Sequence, residues 1–223
     1  MVRKPTHMPT TDMLAAYASG AASPGVSLLV AAHLTHSPDS RVAVSQMETM
    51  AGSFLADESP AEMASDALDR IFAALEGEPA ATMNGHANGK VANGKASNGS
   101  LPAPVAEAIG IPFDNIPWKF RLPGVYEYDI EGFAGEKVSL LRARPGAGIP
   151  QHTHEGQELT LILTGAMRDG ERVYRAGDLA INCEDDDHKP EIIGDETCIC
   201  LVVMDGGMRF TGRFSRALNF LAE

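Results

Sequence analysis

A chain of 223 residues, 44% of them hydrophobic, has the length and apolar content for one large domain or two small ones with packed cores. Its formal net charge of -12 excludes non-specific nucleic-acid binding, because phosphate contacts need lysine and arginine in excess. No apolar run approaches a membrane span, the best being Val26–Ala32. The opening MVRKPTHMPTTDML lacks an apolar stretch before Met13, and the three cysteines form no disulfide framework, so the expectation is a cytoplasmic protein without a secretory leader.

The first 76 residues read as helices. Thr10 and Thr11 cap a helix over Met13–Ala18 that Gly20 ends. Ser23-Pro24 opens a second, whose Val26, Leu29, Val30 and His33 fall at i, i+3, i+4 and i+7, which places His33 on the buried stripe. A third runs from about Asp39 to Ala56. A fourth starts at the capping box Ser59-Pro60-Ala61-Glu62 and carries Leu68, Ile71, Phe72 and Leu75 on one face. Together they predict a small four-helix bundle with acidic outer faces.

From Gly77 the chain becomes GEPAATMNGHANGKVANGKASNGSLPAP, with repeated Asn-Gly and almost no large apolar side chain. Such a segment cannot bury enough surface to offset its ordering entropy, so 77–115 is expected to be a flexible linker. About 28 residues of such coil span roughly 30 Å, so the flanking units need not be docked rigidly. His86 within it has no expected role.

After the linker come short strands: Trp118–Leu122, Val125–Ile130, Lys137–Ala143, Leu159–Leu163, Leu179–Asn182 and Thr197–Met204, separated by turns such as Pro123-Gly124 and Asp169-Gly170. Cys198 and Cys200 share one face of the last strand and read as small buried hydrophobes. The final FSRALNFL suits either a helix or a strand.

Between Gly146 and Gly165, His152, His154 and Glu158 are spaced so that an extended chain points all three to one side. His188, beyond the turn Arg168–Arg172 and the run Gly177–Asn182, is the candidate fourth ligand. Three imidazoles and a carboxylate suit zinc, iron, manganese or nickel. A divalent metal, zinc foremost, is therefore expected.

The Gly-His-His-Glu-Gly spacing resembles the first motif of the cupin superfamily, and YRAGDLAINCEDDDH resembles the second loosely, keeping Gly177-Asp178 and the histidine but lacking the usual prolines. The resemblance implies an all-β jelly-roll barrel, the double-stranded β-helix, over 116–223. The fold class expected is α + β multidomain: a helical bundle over 1–76, the linker 77–115, and the metal-binding barrel.

A helical N-terminal unit ahead of such a cupin resembles the ChrR family of zinc-dependent anti-sigma factors. His7, the run DMLAAYASG at Asp12–Gly20, His33 in VSLLVAAHLTHSPDS, the run HEGQELTLILTGAMRDG and the later Cys-Ile-Cys carry that resemblance. The two cysteines of the family's N-terminal zinc site fall on Ser37 and Ser40. Hydroxyls are not ordinary zinc ligands, so His7 and His33 alone would hold the metal poorly. His36 and Asp39 are the local candidates to replace the thiolates. The alternative is metal-free packing, with His33 satisfied by a hydrogen bond.

The resemblance implies a transcription regulator that sequesters an extracytoplasmic-function (ECF) sigma factor through its helices, while the cupin senses an oxidative stress signal. It implies no direct contact with nucleic acid, and cupin sheets often pair, which allows a homodimer. The alternative is a cupin metalloenzyme, dioxygenase-like, with a vestigial partner domain, in which Arg142 or Tyr128 would orient an anionic substrate if they faced the cavity.

Overall fold

A computed structural model describes residues 3–77 and 101–212. Five helices come first: α1 (Thr11–Ala18), α2 (Pro24–His36), α3 (Pro38–Ala56), α4 (Ala67–Gly77) and α5 (Ala103–Ile109). A 3-10 turn at Phe113–Asn115 leads into eleven strands: β1 (Lys119–Leu122), β2 (Val125–Ile130), β3 (Lys137–Ala143), β4 (His152–His154), β5 (Glu158–Thr164), β6 (Ala166–Asp169), β7 (Arg172–Arg175), β8 (Leu179–Asn182), β9 (Glu191–Ile192), β10 (Cys198–Met204) and β11 (Met208–Phe210). Every strand pairing is antiparallel. The six-stranded sheet has the order β1-β2-β3-β10-β5-β8, and the sheets β11-β4 and β7-β6-β9 complete the jelly roll.

The capping signals act as their chemistry requires. The Thr10 hydroxyl accepts from the Met13 N–H, the Ser23 hydroxyl from that of Val26, and Gly20 leaves α1 at φ 72°. Pro24 and Pro38 occupy the first positions of α2 and α3, where a missing N–H costs nothing.

Alternation in β10 explains the architecture. Cys198, Cys200 and Val202 belong to the cluster inside the barrel, with Ile162, Met167 and Phe210. Ile199, Leu201 and Val203 belong to a second cluster on the outer face of the large sheet, with Leu140, Leu159 and Leu161. A sheet apolar on both faces needs a cover. Leu29 and Ala32 of α2, with Val105 and Ile109 of α5, supply it. A Cβ at Gly25 would come within 2.9 Å of Val138 Cγ2 and Val203 Cγ1, so only glycine lets the start of α2 lie this close to the sheet. Glu136, just ahead of β3, accepts from the Ser23 hydroxyl at 2.6 Å and the Gly25 N–H at 2.8 Å, so a barrel carboxylate caps α2.

These contacts correct three expectations. Residues 101–115 of the expected linker are not coil, because α5 buries Val105 completely against α2 and the sheet. Most of the remaining linker, His86 included, and the final FSRALNFL lie outside the described residues. The helices do not pack as a separate four-helix bundle. Leu14, Val30 and Val44 join α1, α2 and α3 in a small cluster, whereas Leu68, Ile71 and Phe72 of α4 stay at least half exposed. The capping box at Ser59 does not open α4, which starts at Ala67. Among the described residues, no helix is long and apolar enough to cross a membrane.

Leu29→Ala should cost about 2–5 kcal/mol in denaturant unfolding of the full chain, since it opens a cavity between α2 and the sheet. Val42→Ala, at a position that is 58% exposed, should change stability by no more than about 0.5 kcal/mol.

Candidate metal centre

Strand β4 delivers His152 and His154 to one side, as alternation demands, and both are buried. It pairs with β11, His154 opposite Met208 and His152 opposite Phe210. His188 lies outside any strand but forms an isolated antiparallel bridge with His152, each N–H donating to the other's carbonyl at 3.0 Å. The bridge holds both rings on one side, their centroids 4.4 Å apart.

Three Nε2 atoms converge. His188 Nε2 is 3.1 Å from His152 Nε2 and 3.0 Å from His154 Nε2. Zinc–nitrogen bonds of about 2.0–2.1 Å would place two nitrogens of a tetrahedron about 3.3–3.4 Å apart, close to that spacing. Neighbouring acceptors fix two of the tautomers. His152 Nδ1 donates to the Pro150 carbonyl at 2.9 Å, and His188 Nδ1 donates to Asp169 Oδ2 at 2.7 Å, so in the neutral rings both Nε2 lone pairs aim at the common point. His154 Nδ1 is buried and has no hydrogen-bond partner among the described residues. Glu158 enters from the start of β5, with Oε2 3.6 Å from His154 Nε2 and Oε1 accepting from the Thr160 hydroxyl at 3.0 Å. Among the described residues, His152, His154 and His188 form the one group of three or more such side chains with metal-ligand spacing.

The local electrostatics suit a cation. Burial, reinforced by His188 and His154, pushes His152 down to about 3, so its Nε2 stays unprotonated at neutral pH. Burial also lowers His154. On His188 burial opposes the charge, but the hydrogen bond and negative charge of Asp169 outweigh it and leave the ring above its ordinary value. Beside the cluster a small apolar cavity, lined by Val125, Leu141, Met167 and Ile192, reaches His188, Glu158 and Cys200. Cys200 Sγ lies 3.5 Å from Cys198 Sγ, both buried.

Of the N-terminal candidates, His33, Ser37 and Ser40 come together, while His7 and Asp39 have other partners. His33 is fully buried, its Nδ1 donating to the Gly177 carbonyl and its Nε2 accepting from the Ser40 hydroxyl, both at 2.8 Å. The Ser37 hydroxyl donates to Ser40 Oγ at 2.9 Å and accepts from the Ser40 N–H, which caps α3. His7 packs on Tyr174, with ring centroids 4.6 Å apart, and Asp39 pairs with Lys4. His36 is lowered by burial, and its Nε2 has no hydrogen-bond partner. Both ring nitrogens of His33 are thus hydrogen-bonded, and among the described residues these side chains form no group with metal-ligand spacing.

Two functional carboxylates escaped the sequence reading. Asp169 fixes the His188 ring but occurs in Arg-Asp-Gly, which reads as a turn. Asp178 follows Gly177 in a turn motif, yet it is fully buried and accepts from the N–H groups of Thr6, His7 and Arg175 and from the Arg3 guanidinium.

Residues 106–206 match the family model of the ChrR cupin-like domain. Across 205 residues, 92% of each chain, the protein is 30% identical to the anti-sigma-E factor ChrR of Cereibacter sphaeroides. Its structure superposes on the crystal structure of Rhodobacter sphaeroides SigE in complex with the anti-sigma ChrR with a TM-score of 0.75 and 26% identity, covering 91% of this chain and all of that one. Architecture and sequence agree along nearly the whole length, and the chain belongs to the ChrR family.

Proposed function

We propose that this chain is an anti-sigma factor that sequesters an ECF-type sigma factor through its helices, and that its barrel holds a divalent metal, zinc foremost. The observation that carries the partner reading is the apolar face left open after α3 leaves the core. Phe54, Leu55, Leu68 and Leu75 are each 62–76% exposed, and Met50, Ile71 and Phe72 are at least half exposed. Large apolar side chains exposed in such number on two helices suit a protein interface. The ChrR relatives named above, one of them solved with SigE, give that interface a partner class. The net charge of -12 favours a partner with a basic surface. Sigma-factor capture places the chain in the cytoplasm.

His152, His154 and His188 would be the metal's nitrogen ligands, with Glu158 completing the set after a small movement of its carboxylate. These residues would hold the metal where three barrel segments meet, and the metal would supply Lewis acidity toward a small ligand entering the cavity. The enzymatic alternative has less support. Arg142 lies 5.9 Å from the centroid of the Trp118 ring, Tyr128 packs against the outer cluster, and neither lines the cavity, so neither is placed to orient an anionic substrate.

Phe54→Asp with Phe72→Asp should weaken capture of the purified sigma factor at least about a hundredfold, as loss of buried aromatic anchors does. Binding that survives both changes in surface plasmon resonance would remove α3 and α4 from the interface. Zinc measured by elemental analysis should fall from one per chain to none in the His152→Ala, His188→Ala double variant. Asp169→Asn should bind it about 10–100-fold more weakly, since the neighbour that fixes the His188 tautomer is lost. Full zinc retention in the double variant would contradict the assignment.

A further inference from the structure

The Gly177-Asp178 turn of the barrel is gripped by the helical part of the chain on both sides. Residues 3–8 run across it: the Arg3 guanidinium bonds Asp178 Oδ2, the Thr6 and His7 N–H groups donate to Asp178 Oδ1 at 2.6 and 3.1 Å, and the Leu179 N–H donates to the His7 carbonyl at 2.9 Å. From the other side His33 Nδ1 donates to the Gly177 carbonyl, and its Nε2 continues through Ser40 to Ser37 at the start of α3. Gly177 has φ 90°, and a Cβ there would sit 2.7 Å from His36 Cβ and 2.8 Å from Pro5 Cγ, so the turn fits only as glycine. The turn therefore touches the strap at 3–8, the end of α2 and, through Ser40, the first turn of α3.

Strand β8 begins at the next residue, Leu179. Three residues on, Asn182 pairs with Glu158 across the sheet, and its Nδ2 donates to Glu158 Oε1 at 3.5 Å. One short strand thus joins the carboxylate beside the three histidines to the turn held by the helices.

The geometry points to Asp178 as a positioning residue that couples the histidine cluster to the N-terminal strap: a change in the position of Glu158 shifts β8, Asp178 passes that shift to residues 3–8, and the adjoining Gly177 carbonyl passes it through His33 and Ser40 to the α2–α3 junction. The inference rests on the metal reading above, because metal binding is what would move Glu158. It also gives Ser37 and Ser40 a role without metal. A hydrogen-bonded chain from the barrel turn into α3 transmits strain in either direction, and every hydroxyl proton in it has an acceptor.

The test is hydrogen exchange of the full chain, chelator-stripped and then given Zn2+ alone, read at the amides of Thr6, His7, Leu179 and Ser40. In the wild type, zinc should change exchange at these amides by about fivefold or more. Glu158→Ala should change them without zinc. In Asp178→Asn the carboxamide nitrogen faces N–H donors, so basal exchange rises, which a purely structural role would also produce. The distinguishing result is loss of the zinc response at Thr6 and His7, with the response at Ser40 kept through Gly177, while one zinc per chain still binds. Arg3→Ala, which removes one partly exposed partner, serves if Asp178→Asn does not fold, and should diminish the response at Thr6 and His7. Wild-type amides that ignore both zinc and Glu158→Ala overturn the coupling, as does an undiminished response at Thr6 and His7 in the variants. A chain that binds no zinc but responds to Glu158→Ala defeats the metal reading and leaves the coupling standing.

Discussion

The structure depends on the burial of the large sheet's outer face. Leu140, Leu159, Leu161 and Leu201 are almost wholly inaccessible on that side, and each such side chain contributes about 1.5–3 kcal/mol when removed from water. Without α2 and α5 they would face solvent. The same contact fixes the direction of α2, hence the position of His33 over Gly177 and the point at which α3 leaves the core. The start of α3, and so the origin of its open apolar surface, is thus placed by the barrel, through a core shared between α2, α5 and the sheet.

That shared core explains which parts of the fold were legible in the sequence. Helix starts at Thr10 and Ser23-Pro24, strands such as Val125–Ile130 and Lys137–Ala143, and the burial of His33 follow from local rules, and the structure agrees with them. The docking of α2 does not. The run Cys198–Met204 is apolar at nearly every position, which reads equally as a core strand in a closed barrel or as one covered by helices. The helix at Ala103–Ile109 was hidden because Pro102-Ala103-Pro104 follows an Asn-Gly tract and resembles its continuation. Strands β4, β9 and β11, of two or three residues, are too short for a periodicity to show.

At the candidate metal centre β4 brings His152 and His154 to one side, while Glu158 comes from β5 with Oε2 3.6 Å from His154 Nε2. What spacing could not show is how the rings are held. The Pro150 carbonyl and Asp169 come from a loop and from the end of another strand, and only the folded sheet brings them to Nδ1 of His152 and His188. At the N-terminal position, thiolates repel one another unless a cation lies between them, whereas the hydroxyls of Ser37 and Ser40 donate and accept in sequence and satisfy His33 directly. The chain that starts at Ser37 therefore ends at the barrel's Gly177 carbonyl, which accepts from His33 Nδ1.

The most direct test of the central claim, that the barrel presents α3 and α4 as a sigma-factor-binding surface, is hydrogen exchange of the full chain with and without a purified ECF sigma factor. The account predicts new protection concentrated in residues 47–75, with the interior strands β5 and β10 unchanged. Protection confined to the barrel, with none on α3 and α4, would contradict it.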